Sequence, residues 1–189
     1  MIWFYRLLVP AIFVIYLLYW WMRSWNVKSA VRVEPGFMGS LRTLMFWVAI
    51  LLLCYPIPPH WLEYRILPAG LARYWSGVVV TVLGLLFSVW ARQHLAGNWS
   101  QSVTIKKDHE LVTSGPYRLV RHPIYTGLLT AFLGTAIVIG EVRGLLALLL
   151  VTAALWLKLR LEENWMREAF GDSYTEYSGR VAALIPGLL

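Results

Sequence analysis

Pro123-Ile124-Tyr125-Thr126-Gly127-Leu128-Leu129-Thr130-Ala131-Phe132-Leu133-Gly134-Thr135-Ala136-Ile137-Val138-Ile139-Gly140 contains no charged residue. After Glu141-Val142-Arg143 a second uncharged run follows, Gly144–Leu157. A run of about 17 or more such residues spans a bilayer core of roughly 30 Å as a helix. The second run is short at 14 residues, but Lys158 and Arg160 at its end are long enough to snorkel or to face a protein pocket. The connection is so brief that the two runs must form a tight antiparallel hairpin. The residues just before the first run, around His122, then face those just after the second, around Glu162.

Three further uncharged blocks lie upstream: Leu7–Met22, which extends back through Arg6 to Met1, then Thr43–Pro59 and Tyr74–Ala91. The chain has 189 residues, 59% hydrophobic and 14% charged, against about 25% charged in soluble domains. The expected fold is an all-α integral membrane protein with about five transmembrane helices and a C-terminal cytoplasmic helical segment. Leu7–Met22 lacks a basic n-region and a small-x-small cleavage site, so it reads as a retained helix rather than a signal peptide.

Loop charge tests this count. Five spans put loop one (Arg23, Lys28, Arg32, Arg42), loop three (Arg92, Lys106, Lys107, Arg118, Arg121) and the tail (Lys158, Arg160, Arg167, Arg180) on one side, thirteen basic residues in all. Arg6, Arg65, Arg73 and Arg143 fall on the other. The positive-inside rule places the first set in the cytoplasm and the N-terminus outside. A wrong count would mix the two sets.

Several tryptophans (Trp20, Trp21, Trp61, Trp75, Trp90, Trp156) lie near block ends, where interfacial belts form. Gly77 and Gly84 are seven apart on block three, as Gly127 and Gly134 are on block four. Glycines on one helix face let membrane helices approach closely. The lone cysteine, Cys54, excludes an internal disulfide or a CxxC site and reads as membrane packing. The net charge of +7 comes from residues flanking the apolar blocks, not from a dense basic run, which argues against nucleic acid.

The chemistry is concentrated in Trp99–Pro123 and Lys158–Leu189. A residue before proline is pushed out of the α region, and proline favours the first position of a helix. Pro123 therefore starts a helix with His122 extended beside it. Two readings of this start are open: a binding site for a carboxylate or phosphate on the unpaired first-turn N–H groups, or contact of Arg121 and His122 with lipid headgroups. Ser114-Gly115-Pro116-Tyr117 reads as a turn that folds His109–Val112 back towards it. The histidines His60, His94, His109 and His122 show no metal-ligand spacing, and no GxGxxG or P-loop pattern occurs. Lys158 and Glu162 share a helix face and Glu163 points about 100° away. The Lys158–Glu162 pair is either an ordinary i,i+4 ion pair or, at the end of a membrane helix, part of a functional site.

The run Leu111-Val112-Thr113-Ser114-Gly115-Pro116-Tyr117, followed by Arg121-His122-Pro123-Ile124-Tyr125-Thr126-Gly127, resembles the isoprenylcysteine carboxyl methyltransferase family. So does the tail, with Glu162-Glu163, Phe170-Gly171, Tyr174, Tyr177, Arg180-Val181 and Ile185-Pro186. The likeness covers roughly residues 94–188. It implies a single membrane domain in which residues 1–92 supply helices one to three and 93–189 form the cofactor-binding and catalytic half. It implies a methyltransferase that uses S-adenosyl-L-methionine without a Rossmann fold, acting on a lipophilic acceptor that enters from the bilayer. His109, Leu111, Val112, Tyr117, His122, Pro123, Ile124, Tyr125 and Glu162 match the family's cofactor-contacting positions. The family's substrate-orienting arginine, four before that glutamate, falls on Lys158. Lysine is a point charge without arginine's bidentate fork, and Arg160 is the alternative cation.

Methyl transfer to a carboxylate that is already ionised at pH 7 needs no general base, which suits a chain with no His–carboxylate or Cys–His motif. Related alternatives are methylation of a phospholipid amine or small thiol, which would need His122 or Tyr125 as base. An NADPH-dependent membrane reductase of sterol-reductase type would call for more basic residues. A transporter or structural protein fits poorly with blocks nearly free of ionisable groups. The expected setting is a bacterial inner membrane, from the compact size, with the active site cytoplasmic. Neither nucleic acid nor an obligate protein partner is expected.

Overall fold

The computed structural model describes residues 2–23, 30–33, 36–54, 59–95, 104–106 and 111–188. The helices are α1 (Ile2–Arg23), α2 (Gly36–Cys54), α3 (Leu71–Leu95), α4 (Pro123–Ile139), α5 (Val142–Phe170) and α6 (Asp172–Arg180). By length and composition α2, α3 and α5 can each cross a membrane, and α1 and α4 add shorter apolar stretches. Exposed Leu, Ile, Val and Trp cover the outside of this bundle, the surface expected of helices solvated by lipid.

Among the described residues the architecture is mainly helical, with a short antiparallel ladder not expected from the sequence, in which β1 (Ala30–Val33) pairs with β2 (Thr104–Lys106). It ties the α1–α2 connection to the α3–α4 connection, so both lie at one end of the bundle. The other end is closed by different bonds. Ile66 N–H donates to Gly140 O (2.9 Å) and Val142 N–H to Tyr64 O (3.0 Å). The Arg73 guanidinium donates to Ile139 O (2.8 Å). Gly140 caps α4 with φ +65°, a conformation that L side chains rarely adopt. Successive helices therefore alternate in direction.

The closest helix pair is α3 with α4. Gly77 lies against Gly134, and Gly84 against Gly127. A Cβ at Gly84 would fall 2.5 Å from Gly127 O, and one at Gly127 would fall 2.5 Å from Gly84 O. Thr81 uses the close approach, donating to Gly77 O (2.9 Å) and reaching Ala131 O across the interface (3.3 Å). The seven-residue glycine spacing is thus a helix–helix seam. Behind it, Phe132, Ala147, Val151, Leu155 and Leu159 join Ala49 of α2 in the main core.

Helix ends depart from the charge-based blocks. α2 begins at Gly36 rather than Thr43, so Arg42 is inside a helix and buried rather than in a loop. α3 extends beyond block three at both ends, and α5 continues from Val142 to Phe170, leaving only Gly140 and Glu141 between α4 and α5. A charge marks where a helix leaves hydrocarbon or faces protein, not where its backbone hydrogen bonds stop.

Candidate functional site

The site lies at the end of the bundle where α4 begins, between Leu111–Tyr125 and the second half of α5. Its floor is the turn Gly115–Arg118. Gly115 has φ +59°, and a Cβ there would meet the His94 ring at 2.7 Å. His94 Nε2 lies 2.8 Å from Ser114 Oγ, and its ring stacks on Tyr117. Tyr177 of α6 donates to Tyr117 O at 2.6 Å. Two separate elements, α3 through His94 and α6 through Tyr177, therefore hold this turn.

Beside it, residues 181–184 run along the entrance to α4. Arg121 N–H donates to Ala182 O (2.8 Å) and His122 N–H to Ala183 O (3.0 Å). The Thr126 hydroxyl donates to Leu184 O (2.7 Å). The Arg121 side chain completes the attachment. Its Nε donates to Glu163 Oε1 at 2.7 Å, and Nη1 donates to Ser178 O (2.8 Å) and to Val181 O. These carbonyls end α6, where a cation also meets the negative end of the helix dipole.

The two neighbouring carboxylates of α5 have separate tasks. Glu162 Oε1 accepts from Tyr125 Oη at 2.6 Å and lies 3.8 Å from Lys158 Nζ. Its Oε2 is 3.6 Å from His122 Nδ1. Glu163 faces Arg121, Arg167 (3.2 Å) and His122 Nε2 (3.4 Å). His122 thus sits between both carboxylates, its ring stacked on Tyr125 at 5.3 Å between centroids. Lys158 Nζ stands over the other ring contact, 5.5 Å from the Tyr125 centroid, a cation–π distance. Burial alone would lower the His122 pKa. The close carboxylates of Glu162 and Glu163 outweigh it and hold the imidazole above its ordinary value.

The structure thus brings Tyr117, His122, Tyr125, Lys158 and Glu162 together. Leu111 and Val112 are half-buried at the edge, with Val112 packed on the core. Pro123 and Ile124 are buried at the helix start, Ile124 within the main core. Arg160 lies about 200° round the helix from Lys158 and is exposed. His109 lies outside the described residues. Sequence reasoning missed the Arg121–Glu163 pair. Both residues lie in the two paired segments, but the sequence leaves Arg121 open between headgroup contact and a binding site at the helix start, and places Glu163 only on another face of its helix.

The arrangement also bears on cofactor fit. His122 Nε2 is buried without an aligned hydrogen-bond acceptor, though it is close to Glu163. Glu162 presents a carboxylate 24% exposed beside an aromatic wall. A carboxylate with flanking rings complements a sulfonium, an ammonium or a ribose diol. Among the described residues no group of His, Cys, Asp and Glu side chains is placed to hold a metal.

Residues 72–173 match the phospholipid methyltransferase family profile. Protein-S-isoprenylcysteine O-methyltransferase A of Arabidopsis thaliana is 30% identical over 135 residues, covering 66% of this chain and 68% of that protein. The chain belongs to the isoprenylcysteine carboxyl methyltransferase family. Schizosaccharomyces pombe protein-S-isoprenylcysteine O-methyltransferase is 39% identical over 84 residues, covering 42% of this chain and 34% of its own. Among solved structures, a eukaryotic intramembrane Ras methyltransferase, isoprenylcysteine carboxyl methyltransferase, aligns with TM-score 0.53 and 25% identity over 82% of this chain. This chain spans 55% of the length of that methyltransferase and 63% of the Arabidopsis thaliana B relative, to which it is 27% identical over 62% of its own length.

Proposed function

We propose that this isoprenylcysteine carboxyl methyltransferase family member transfers a methyl group from S-adenosylmethionine to the carboxylate of an isoprenylcysteine-type, membrane-soluble acceptor. The observation that carries the reading is the convergence of His122, Tyr125 and Lys158 on Glu162. Glu162, the His122–Tyr125 turn, Tyr117 and the Leu111–Val112 edge hold the cofactor, with His109 as a further candidate. Lys158 holds the acceptor carboxylate. Arg160, exposed on another side of α5, is the weaker candidate for that task.

S-adenosylmethionine, when bound, supplies an electrophilic methyl on a sulfonium that leaves as a neutral thioether. The residues of this chain do the rest. Lys158 neutralises and orients an acceptor carboxylate that is already ionised, so no side chain need remove a proton. Glu162 is itself oriented by Tyr125 and His122 and places negative charge where the cofactor's cationic groups lie. Alignment of the two partners is worth up to about 7–11 kcal/mol in favourable cases, and the apolar walls of Ile124 and Leu159 keep water out.

The membrane reading is five crossings, α1 to α5, with the N-terminus outside and the site on the cytoplasmic face of a bacterial inner membrane. Among the described residues, Arg118, Arg121, Lys158 and Arg167 lie at the same end of the bundle as the site. Only the bilayer and the lipophilic acceptor are invoked as partners. Calorimetric titration of the detergent-solubilised chain with S-adenosylmethionine, S-adenosylhomocysteine and NADPH tests the assignment. Micromolar binding of the first two and not the third is expected; binding of NADPH alone would replace the methyltransferase reading with a reductase.

A further inference from the structure

Arg42 belongs to a different helix from the Lys158–Glu162 pair. It lies in α2, and only 8% of it is exposed, although Leu41, Leu44 and Trp47 beside it face outward. A guanidinium buried in a membrane helix is costly to keep and marks a polar interior or a functional site. Arg42, Phe46 and Ala49 fall at i, i+4 and i+7, one face of the helix. Ala49 is fully buried in the core shared with α5, and the Phe46 ring meets Phe132 of α4 edge-on at 6.4 Å.

The topology decides where that face leads. β1 immediately precedes α2 and pairs with β2, ahead of α4, while Tyr64–Leu67 after α2 meets Gly140 at the far end of α4. α2 and α4 therefore run in the same direction. From the Phe46–Phe132 contact, one turn back along α2 reaches Arg42, and about two turns back along α4 reaches Tyr125. Arg42 therefore lies on the core-facing side of α2, towards the end of the bundle where α4 begins and carries Tyr125. Lys158 approaches the Tyr125 ring from α5, 5.5 Å from its centroid.

We propose that Arg42 is a second cation of the acceptor site, holding the acceptor's carboxylate over Tyr125 together with Lys158. The proposal rests on the carboxyl-methylation reading and names its specificity device. Lys158 alone supplies a mobile point charge. A guanidinium fork adds two parallel donors that match a carboxylate's geometry, and its position on a second helix fixes the direction from which the carboxylate is held.

The test uses the full chain in detergent with S-adenosylhomocysteine bound, and compares binding of N-acetyl-S-farnesylcysteine with that of its carboxamide. The wild type is expected to prefer the carboxylate by at least about tenfold. In Arg42→Gln this preference falls to about twofold or less, and in Arg42→Lys to an intermediate value, with S-adenosylhomocysteine affinity kept in both. A preference unchanged in either variant overturns the proposal. So does a parallel loss of S-adenosylhomocysteine affinity, which would show that Arg42 supports the fold and not the acceptor. If Arg42→Gln does not fold, Arg42→Lys decides by the same ratio. A wild type that binds no S-adenosylhomocysteine and methylates no acceptor fails at the earlier step, the methyltransferase reading itself.

Discussion

Tyr125 on the first turn of α4 donates a 2.6 Å hydrogen bond to Glu162 on α5, joining positions 37 residues apart in sequence. The bond works because the α4–α5 connection is short and at the opposite end of both helices. Each helix returns to the same level, and the first turn of one faces the polar end of the other. Glu162 is also the residue on which Lys158 and His122 converge, so its charge organises the site.

Glu162→Gln keeps the shape and removes that charge. Loss of a hydrogen bond to a charged group costs about 1.5–3 kcal/mol, so affinity for S-adenosylmethionine is expected to fall about tenfold to a hundredfold. Calorimetry reads this directly, with the thermal transition in detergent as the check on folding. Wild-type affinity in the folded variant would remove Glu162 from the cofactor site.

The α3–α4 seam is tested at Gly84. A methyl there meets backbone of Gly127 and Ala131 at 2.5 Å, and backbone cannot move aside as a flexible side chain would. Gly84→Ala should cost about 1–3 kcal/mol, seen as a lowered melting temperature. Gly179→Ala in α6 meets nothing within 4 Å and should leave stability unchanged or slightly raised by the smaller entropy loss on folding. Equal effects at the two positions would contradict the seam.

The Arg121–Glu163 pair, 11% and 9% exposed, attaches the tail. Removing one partner of a buried pair costs up to about 3–5 kcal/mol when the other charge is stranded; Arg167 and His122 still face Glu163, so Arg121→Met should cost less than that. Arg121→Met should loosen residues 172–188 and speed their proteolysis, and Arg121→Met with Glu163→Leu should recover part of the loss. A double variant no more resistant than Arg121→Met would show that the bonds from Arg121 to Ser178 and Val181, not the ion pair, hold the tail.

His122 predicts a pH dependence with a definite sign. Its folded-state pKa is raised above the unfolded value of about 6.5, so the folded protein binds the proton more tightly. The resulting stabilisation is fully present below about pH 6.5 and is lost as pH rises through the raised folded value. Melting temperatures of wild type and His122→Gln, compared from about pH 5.5 upward where carboxylates stay ionised, should differ most at the acid end and converge at alkaline pH. A difference that grew with pH would refute a protonated His122 between Glu162 and Glu163.

Much of this protein was legible in one dimension. Uncharged runs reported the membrane helices because hydrocarbon excludes charge over a length set by bilayer thickness. The seven-residue spacing of Gly77 with Gly84 and of Gly127 with Gly134 reported the seam, since close backbone approach requires small residues. The short link after Gly140 placed Glu162 opposite His122. Those properties are local, and each follows from residue type and spacing.

What only the tertiary structure decided is which charges meet. Arg42 reads as a loop cation in sequence, because a charge ends an apolar run whether it faces headgroups or protein; its burial depends on the core that α2 shares with α4 and α5. Glu163 and Arg121 each have several possible neighbours, and their pairing is set by how α6 and the tail fold back along the entrance to α4. Lys158 is separated from Arg160 by helix phase and by what α4 places in front of it. Ion pairing is decided by distances of a few ångströms between segments, and that information arises only when the helices pack.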